Sequence, residues 1–352
     1  MNRPFDYQQE LDTLHFTPEQ KKRIAEQALA AAKQASSRGR RPVRRMLVIA
    51  AAAVLVLAVG TAGATGVLKS AAESFAGVFG GNVAQTEIID QIGRPIGASA
   101  TDNGVTITAD AILGDQYNAC IVYTITRDDG QPLLPEGTSP KSLLMGGFGG
   151  ADLSIRGGCH GSSWFIDENP DDSAIQMVQS LSADVPITSC TATAEFQDLC
   201  YFDEETGGSI PIVEGHWKFR FDVDYEDASI TLGGGEAFEQ GGMTFTVDKV
   251  TVSPVAVQVA YTVDSPVQWS DAPSGRQSDG DRREMERYFE NVEILLTKTD
   301  GTVIDLSTSG GSIKPEGGVT VCTKGRVLDE ILPLADLESV SVGGVVYPVP
   351  QV

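Results

Sequence analysis

Histidine is scarce in this sequence, and the common catalytic motifs are missing. Only three histidines occur in 352 residues, at His15, His160 and His216. No Gly-x-Ser-x-Gly, His-Glu-x-x-His or Gly-Lys-Ser/Thr run is present. This excludes the usual signatures of serine hydrolases, zinc proteases and phosphate-binding loops. We therefore predict no catalytic residue and no cofactor, and we expect the protein not to be an enzyme.

The pair Cys159-His160 places a nucleophile next to a base, within the glycine-rich stretch 157–161. Neighbouring side chains on an extended backbone point to opposite faces, so the two groups would not act together on one substrate. We interpret the pair as part of a loop rather than as a catalytic dyad. A surface hydrolase is therefore the weakest of the three functional hypotheses; the other two, a sensor and an adhesion module, are given below.

Cysteine is infrequent as well. The five cysteines are Cys120, Cys159, Cys190, Cys200 and Cys322. An odd number leaves at least one thiol unpaired within a monomer. None of the spacings is that of a zinc site. Cys190 and Cys200 flank a predicted strand and could close a small disulfide loop.

Basic residues are outnumbered by acidic ones, 26 Lys and Arg against 48 Asp and Glu, for a net charge of −22. This balance excludes DNA, RNA and heparin as partners. One acidic cluster consists of Asp222, Asp224, Glu226 and Asp227. Its oxygens could hold a calcium ion at a domain junction. The sequence has no Asp-x-Asp-x-Asp-Gly loop, so a solvated strand end is the simpler interpretation.

Charge is absent from residues 46–68, a run of 23 positions between Arg45 and Lys69. As a helix this run would be roughly 35 Å long, enough to cross a hydrocarbon core of about 30 Å. Residues 1–45 carry ten Lys or Arg and five Asp or Glu, whereas the residues after 68 carry 16 and 43. The excess of basic residues before the span predicts a cytoplasmic N-terminus and extracellular C-terminal domains.

A cleaved secretory signal is the alternative interpretation of the same run. Ala62-Gly63-Ala64 has the small-x-small pattern of a cleavage site. A leader of 45 residues is much longer than an ordinary signal n-region, however, and it has a helical pattern of its own. We therefore favour an uncleaved transmembrane helix over residues 46–68.

Residues 1–45 predict a helical leader. Thr17-Pro18-Glu19-Gln20 provides an N-cap hydroxyl, a proline at the first helical position and a glutamine that can bond back to the cap. The predicted partner-binding residues are the apolar stripe Leu11, Leu14, Ile24 and Leu29. This leader is either a docking peptide for a cytoplasmic partner or a solvated segment with no partner.

After the span, Leu68, Ala72, Phe75 and Phe79 continue a helical stripe, which predicts a juxtamembrane stalk helix over residues 69–84. From residue 85 the period changes to two, as in the alternating residues 217–224. Further strands are predicted at 105–109, 121–126, 191–196, 244–250, 255–263, 292–298, 302–306 and 340–347. The exported part is therefore expected to be mainly β.

An internal repeat sets the domain count. Residues 104–110 match residues 242–248, and Tyr123-Thr124-Ile125 matches Tyr261-Thr262-Val263, with the same offset of 138 and no gap. We predict two tandem Ig-like β-sandwich ectodomains, over residues 85–228 and 229–352.

These features resemble a family of bacterial single-pass membrane proteins whose exported part is known only as a domain of unknown function. The resemblance rests on Phe16-Thr17-Pro18-Glu19, the single span, Phe79-Gly80-Gly81 and Gly104-Val105-Thr106-Ile107-Thr108. Members are often encoded beside extracytoplasmic-function sigma factors, which implies an anti-sigma type of role. The leader is shorter than a full anti-sigma domain and lacks a His-x3-Cys-x2-Cys zinc motif.

The leading hypothesis is a membrane-anchored envelope sensor or regulator that acts by binding. Its ectodomains would detect an extracellular ligand, and its leader would bind a cytoplasmic partner, for which the resemblance suggests a sigma factor. The second hypothesis is a passive surface module for adhesion, with an inert leader.

Overall fold

The computed structural model describes residues 69–79, 83–135, 138–145, 151–152, 159–203, 207–271 and 277–351. The predicted leader, residues 1–45, and the predicted span, residues 46–68, lie outside this part of the chain. Within the described residues, no helix is both long enough and apolar enough to cross a bilayer. The fold is mainly β with several antiparallel sheets, which confirms the predicted class at that level.

Two short helices open the described part of the chain, α1 (Ala71–Phe79) and α2 (Val83–Ile92). A reciprocal cap starts α1. The Ser70 Oγ accepts a hydrogen bond from the Glu73 N–H at 3.1 Å, and the Glu73 Oε2 accepts one from the Ser70 N–H at 2.8 Å. This arrangement satisfies backbone donors that an uncapped helix would leave unpaired.

The second helix differs from the sequence prediction, which placed strand periodicity from residue 85 onward. Ile88, Ile89 and Ile92 have the spacing of one helix face, and Ile89 is fully buried. The first strand begins only at Arg94. The segment predicted as one stalk helix over 69–84 therefore contains all of α1 and the beginning of α2.

The first β region consists of two antiparallel sheets that share one hydrophobic core. The larger sheet has the order β1-β2-β3-β7-β6, and in the smaller sheet β8 pairs with β4, β5 and β9. Tyr123 of the larger sheet and Phe196 of the smaller one meet edge to face, with ring centroids 5.3 Å apart. The strands are β1 (Arg94–Asp102), β2 (Val105–Gly114), β3 (Asn118–Arg127), β4 (Leu143–Met145), β5 (Ala151–Asp152), β6 (Cys159–Ile166), β7 (Ala174–Ala183), β8 (Cys190–Asp203) and β9 (Gly208–Val223).

The second β region also has two sheets around one core. The larger has the order β10-β12-β13-β17-β16, with β11 also paired to β12, and the smaller has the order β15-β14-β18-β19. A helix α3 (Asp279–Met285) continues as a π-helical turn, Glu286–Glu290. The strands are β10 (Ile230–Gly233), β11 (Ala237–Gln240), β12 (Met243–Val252), β13 (Ala256–Val263), β14 (Ile294–Lys298), β15 (Val303–Asp305), β16 (Gly311–Glu316), β17 (Val319–Val327), β18 (Leu337–Val342) and β19 (Val345–Pro348).

The predicted strand at residues 217–223 is confirmed as the end of β9. Trp217, Phe219, Phe221 and Val223 are buried, whereas the residues between them are exposed. The single strand predicted at 340–347 is wrong. Gly343 and Gly344 both adopt positive φ, so the chain turns there and forms the paired strands β18 and β19.

Two interpretations of the cysteines also need correction. Cys159 and His160 lie at the start of strand β6 rather than in a loop. Cys190 and Cys200 lie ten residues apart on the single strand β8. At about 3.3 Å per residue this separation far exceeds the reach of a disulfide, so the two do not bond to each other.

The repeated residues form equivalent strand pairs. A bulge interrupts the β2–β3 pairing at Asp110 and the β12–β13 pairing at Asp248. At the first bulge Thr124 donates to Asp110 at 2.5 Å, and at the second Thr262 donates to Asp248 at 2.7 Å. The offset of 138 seen in the sequence is therefore repeated in register, bulge and hydrogen bond.

Candidate functional site

We use the term helical layer for α1 and α2 together. It covers one face of the sheet β1-β2-β3-β7-β6, the face opposite the core of the first β region. Phe75 and Ile89 are fully buried in a cluster with Val122 of β3. The same cluster includes Val255 and Ile331 of the second β region. The segment that follows the predicted span thus packs against both β regions.

The two β regions meet at equivalent positions of the repeat. Asp115 lies in the turn between β2 and β3, and Ser253 lies 138 residues later in the turn between β12 and β13. Each side chain accepts hydrogen bonds from the backbone N–H groups two and three residues further on. Ser253 also donates to Asp115 at 2.6 Å. Contact between equivalent residues is typical of a local two-fold relation.

The Asp115 carboxylate is buried at this joint, and burial raises its pKa although four donors contact it. Asp184 forms a second polar contact between the β regions. It pairs with Lys314 and accepts hydrogen bonds from Thr323 at 2.6 Å and Ser312 at 2.9 Å. Burial opposes ionisation of Asp184, but these donors outweigh it and lower the pKa. The joint is therefore held by polar as well as apolar contacts.

A groove of about 360 Å³ opens where the helical layer and the two β regions meet. One side is the end of α1, with Val78 and Phe79, and the other is the end of β17 and the residues after it. The floor is formed by Trp164 of β6, together with Ser162 and Ser180. We call this cavity the Trp164 groove; its lining is Val78, Phe79, Ser162, Trp164, Ser180, Arg326, Val327, Leu328 and Asp329.

The floor of the groove lies on the sheet β1-β2-β3-β7-β6, on its outer face, which is the face opposite the core of the first β region. Ser162 pairs with Ser180, and Trp164 pairs with Val178, across the β6–β7 ladder. Val178 is fully buried under the helical layer, whereas Trp164 remains 39% exposed. Ile166 at the end of β6 packs against the same cluster, whereas Trp164, two residues earlier on β6, stays partly exposed beside the helical layer.

The groove continues into the second β region. A neighbouring cavity of about 400 Å³ shares Arg326, Leu328 and Asp329 with it and adds Ile304 and Leu306. Arg326 donates to both carboxylate oxygens of Asp329 at 2.7 Å. We call the two adjoining cavities together the channel; its lining is partly apolar, and its charged side chains are paired.

A more open hollow of about 500 Å³ lies elsewhere on the first β region, beside the β1–β2 turn. It is lined by Asn103, Asp128 and the ion pair Arg127–Asp129, whose atoms are 3.0 Å apart. This hollow touches neither the helical layer nor the second β region. The Trp164 groove is the better candidate site because all three parts of the fold contribute to it.

The predicted calcium ligands do not converge. Asp222 accepts a hydrogen bond from Thr191, Glu226 pairs with Arg94 at 3.1 Å, and Asp227 accepts the Ser229 N–H. Asp224 is exposed. In the part of the chain that the structure describes, no group of three or more His, Cys, Asp or Glu could hold a metal ion. The predicted partner-binding residues Leu11, Leu14, Ile24 and Leu29 lie outside the described residues.

Sequence reasoning missed the Trp164 groove. The glycine-rich stretch 157–161 was interpreted as a loop, so the strand that carries Trp164 was not predicted. A signal was available in the next residues, because Trp164 and Phe165 are adjacent aromatic residues after two serines. Phe165 is buried and Trp164 is exposed, as alternation along a strand requires.

Comparison with known proteins gives a partial family match. Residues 40–127 match the family described as Domain of unknown function (DUF4179). This segment covers about a quarter of the chain and includes α1, α2 and β1 to β3. It supports the predicted resemblance to a family with a domain of unknown function. Val78 and Phe79 of the groove fall inside the match, whereas Trp164 and Arg326 fall outside it.

A solved structure is also similar, described as "The crystal structure of the conserved domain protein from Bacillus anthracis". It is 17% identical, with a TM-score of 0.46, and the similarity covers 71% of this chain and 76% of that one. Among curated proteins, none matches this sequence.

Proposed function

We propose that this protein is a single-pass membrane protein that acts as an envelope sensor or regulator by binding. Its N-terminus is cytoplasmic, and its C-terminal domains are extracellular. The exported part consists of two tandem Ig-like β-sandwiches, and the cytoplasmic leader binds a partner of the sigma-factor class. Two observations support the tandem: each β region has two sheets around one core, and the repeat recurs in register.

The observation that carries this proposal is the position of α1. The helix begins at Ala71, directly after the predicted span, and its other end lines the Trp164 groove through Val78 and Phe79. A ligand in the groove would therefore contact the helix that follows the predicted span in the sequence. Ligand binding biases a conformational equilibrium only through contacts that differ between its states, and α1 offers such contacts.

Transcript profiling in the native host tests the signalling role. We expect deletion of the gene and the Trp164→Ala variant to change an overlapping set of transcripts, because both remove ligand detection. Trp269→Ala is the matched control, since Trp269 is 41% exposed and does not line the groove. An unchanged profile in the deletion strain would instead favour the passive adhesion module.

The proposed topology makes a separate prediction. In intact cells, protease should digest the exported part and leave residues 1–45 protected, because ten Lys or Arg precede the span. The measurement is proteolysis of whole cells, followed by detection of an N-terminal and a C-terminal epitope tag. Loss of the N-terminal tag with retention of the C-terminal tag would show that the orientation is reversed.

A further inference from the structure

We infer that the Trp164 groove binds a neutral oligosaccharide, such as a strand of envelope glycan. This inference rests on the proposed function and names the ligand class of the same site. It depends on three properties of the lining: a partly exposed aromatic side chain, hydroxyl groups that make no side-chain hydrogen bond with another described residue, and charges that are already paired.

The aromatic floor favours a ligand with one apolar face. The Trp164 side chain is 39% exposed and lines the groove together with Phe79 and Leu328. The face of an indole ring is electron-rich and attracts the C–H groups that a pyranose ring presents on its flat side. A sugar ring stacked there would also bury apolar surface of Val78 and Leu328.

Hydroxyl groups lie next to this floor. The side chains of Ser162 and Ser180 face each other across the β6–β7 ladder and line the groove. Neither hydroxyl makes a side-chain hydrogen bond with another described residue. Each can donate one hydrogen bond and accept others, which suits ligand hydroxyls that also do both.

The charges of the channel favour a neutral ligand. Arg326 is paired with Asp329, and Lys298 lies 3.6 Å from Glu330, which lines the extension. An anionic or cationic ligand would have to compete with one of these pairs. The acidic surface of the exported part would in addition repel polyanions.

The floor offers side chains rather than backbone groups to a ligand. Peptides commonly bind β-sheets by adding a strand to an exposed edge, where backbone groups are available. Trp164 and Ser162 lie on the edge strand β6 but project from the face of the sheet, and the backbone groups of β7 are used in ladders with β3 and β6. The two adjoining cavities, of about 360 and 400 Å³, have room for more than one linked sugar ring.

Isothermal titration of the full-length chain with chitotetraose and with cellotetraose tests the inference. We expect at least one of these neutral oligosaccharides to bind. Trp164→Ala should weaken binding by about ten-fold or more, as expected for the loss of a central aromatic anchor. The Ser162→Ala/Ser180→Ala double variant should weaken it several-fold, and Trp269→Ala should leave it unchanged.

Folding of the variants is checked by circular dichroism, and Trp164→Tyr, which keeps an aromatic ring, should retain part of the affinity. Failure of the wild-type chain to bind either oligosaccharide would overturn the ligand class. So would Trp164-dependent binding of tetra-alanine or polyphosphate in their place. Equal affinity of wild type and Trp164→Ala would overturn the site.

A negative result in the titration contradicts a different proposal from a negative result in the transcript experiment. Oligosaccharide binding that depends on Trp164, together with unchanged transcripts, would support this inference and contradict the sensor role. Changed transcripts without oligosaccharide binding would support the sensor role and contradict the proposed ligand.

Discussion

Trp217→Asp is expected to unfold the first β region. The Trp217 side chain is fully buried in the core between the two sheets, and its indole N–H donates to the Val105 carbonyl at 2.9 Å. The substitution removes the largest side chain of this core, leaves that carbonyl without its donor, and buries a carboxylate. Loss of the ring alone costs about 3–5 kcal/mol, and an unpaired buried charge adds to that cost. The sum is comparable with the whole stability of many domains.

The measurement is urea denaturation of the full-length chain followed by far-ultraviolet circular dichroism. Trp269→Asp is the matched control, because the same change at an exposed tryptophan should alter the free energy of unfolding by less than about 1 kcal/mol. Trp217→Phe should be intermediate, since it keeps an aromatic ring but loses the N–H donor. Coincident denaturation curves for Trp217→Asp and wild type would show that this residue does not hold the core together.

Sequence periodicity predicted the strands that have one buried and one solvated face. The end of β9 is the clearest case, because Lys218 and Arg220 alternate with buried aromatic residues. The same rule failed for β7, where the helical layer covers the outer face. Val178 is buried on that face, and Gln179 is buried on the inner face, where it accepts a hydrogen bond from the Tyr123 hydroxyl at 3.0 Å. Burial on both faces removes the alternation on which the prediction depends.

Strand β17 was missed for a related reason. Its Lys324 occupies a buried position where alternation would predict an apolar residue. The ammonium group donates to the Phe289 carbonyl at 2.8 Å and to the Val292 carbonyl at 3.1 Å, at the end of the π-helical turn. Burial lowers the Lys324 pKa to about 8. These partners come from an element that the sequence pattern did not reveal, so the buried lysine could not be anticipated.

The repeat predicted equivalent strand pairs, but it could not predict that the two copies meet at Asp115 and Ser253. Contacts between copies depend on how the β regions pack, which an offset of 138 residues does not specify. The Trp164 groove could not be predicted from the sequence for the same reason. Phe79, Trp164 and Leu328 are far apart in the sequence and converge only because the helical layer packs against both β regions.

Replacing Ile24 and Leu29 together by serine should abolish recovery of a cytoplasmic partner. Both residues belong to the apolar stripe predicted for the leader, and amphipathic helices usually bind through such a stripe in a hydrophobic groove. Buried anchors of this kind contribute on the order of 1–2 kcal/mol or more each. Losing two of them would weaken binding by about 30-fold to several hundred-fold, enough to remove the partner from a pull-down.

The experiment compares full-length chains purified from the native host, followed by identification of co-purified proteins. Ala30→Ser with Gln34→Ser is the matched control, because these residues fall on the side of the predicted helix opposite the midpoint of Ile24 and Leu29 and should leave recovery unchanged. The Ile24→Ser/Leu29→Ser chain should still reach the envelope and bind the groove ligand, since the β regions and their cores contain neither residue. Equal recovery by all three chains would show that the stripe is not the docking surface. Recovery of no specific protein by the wild-type chain would contradict a signalling leader and leave the adhesion module as the better account.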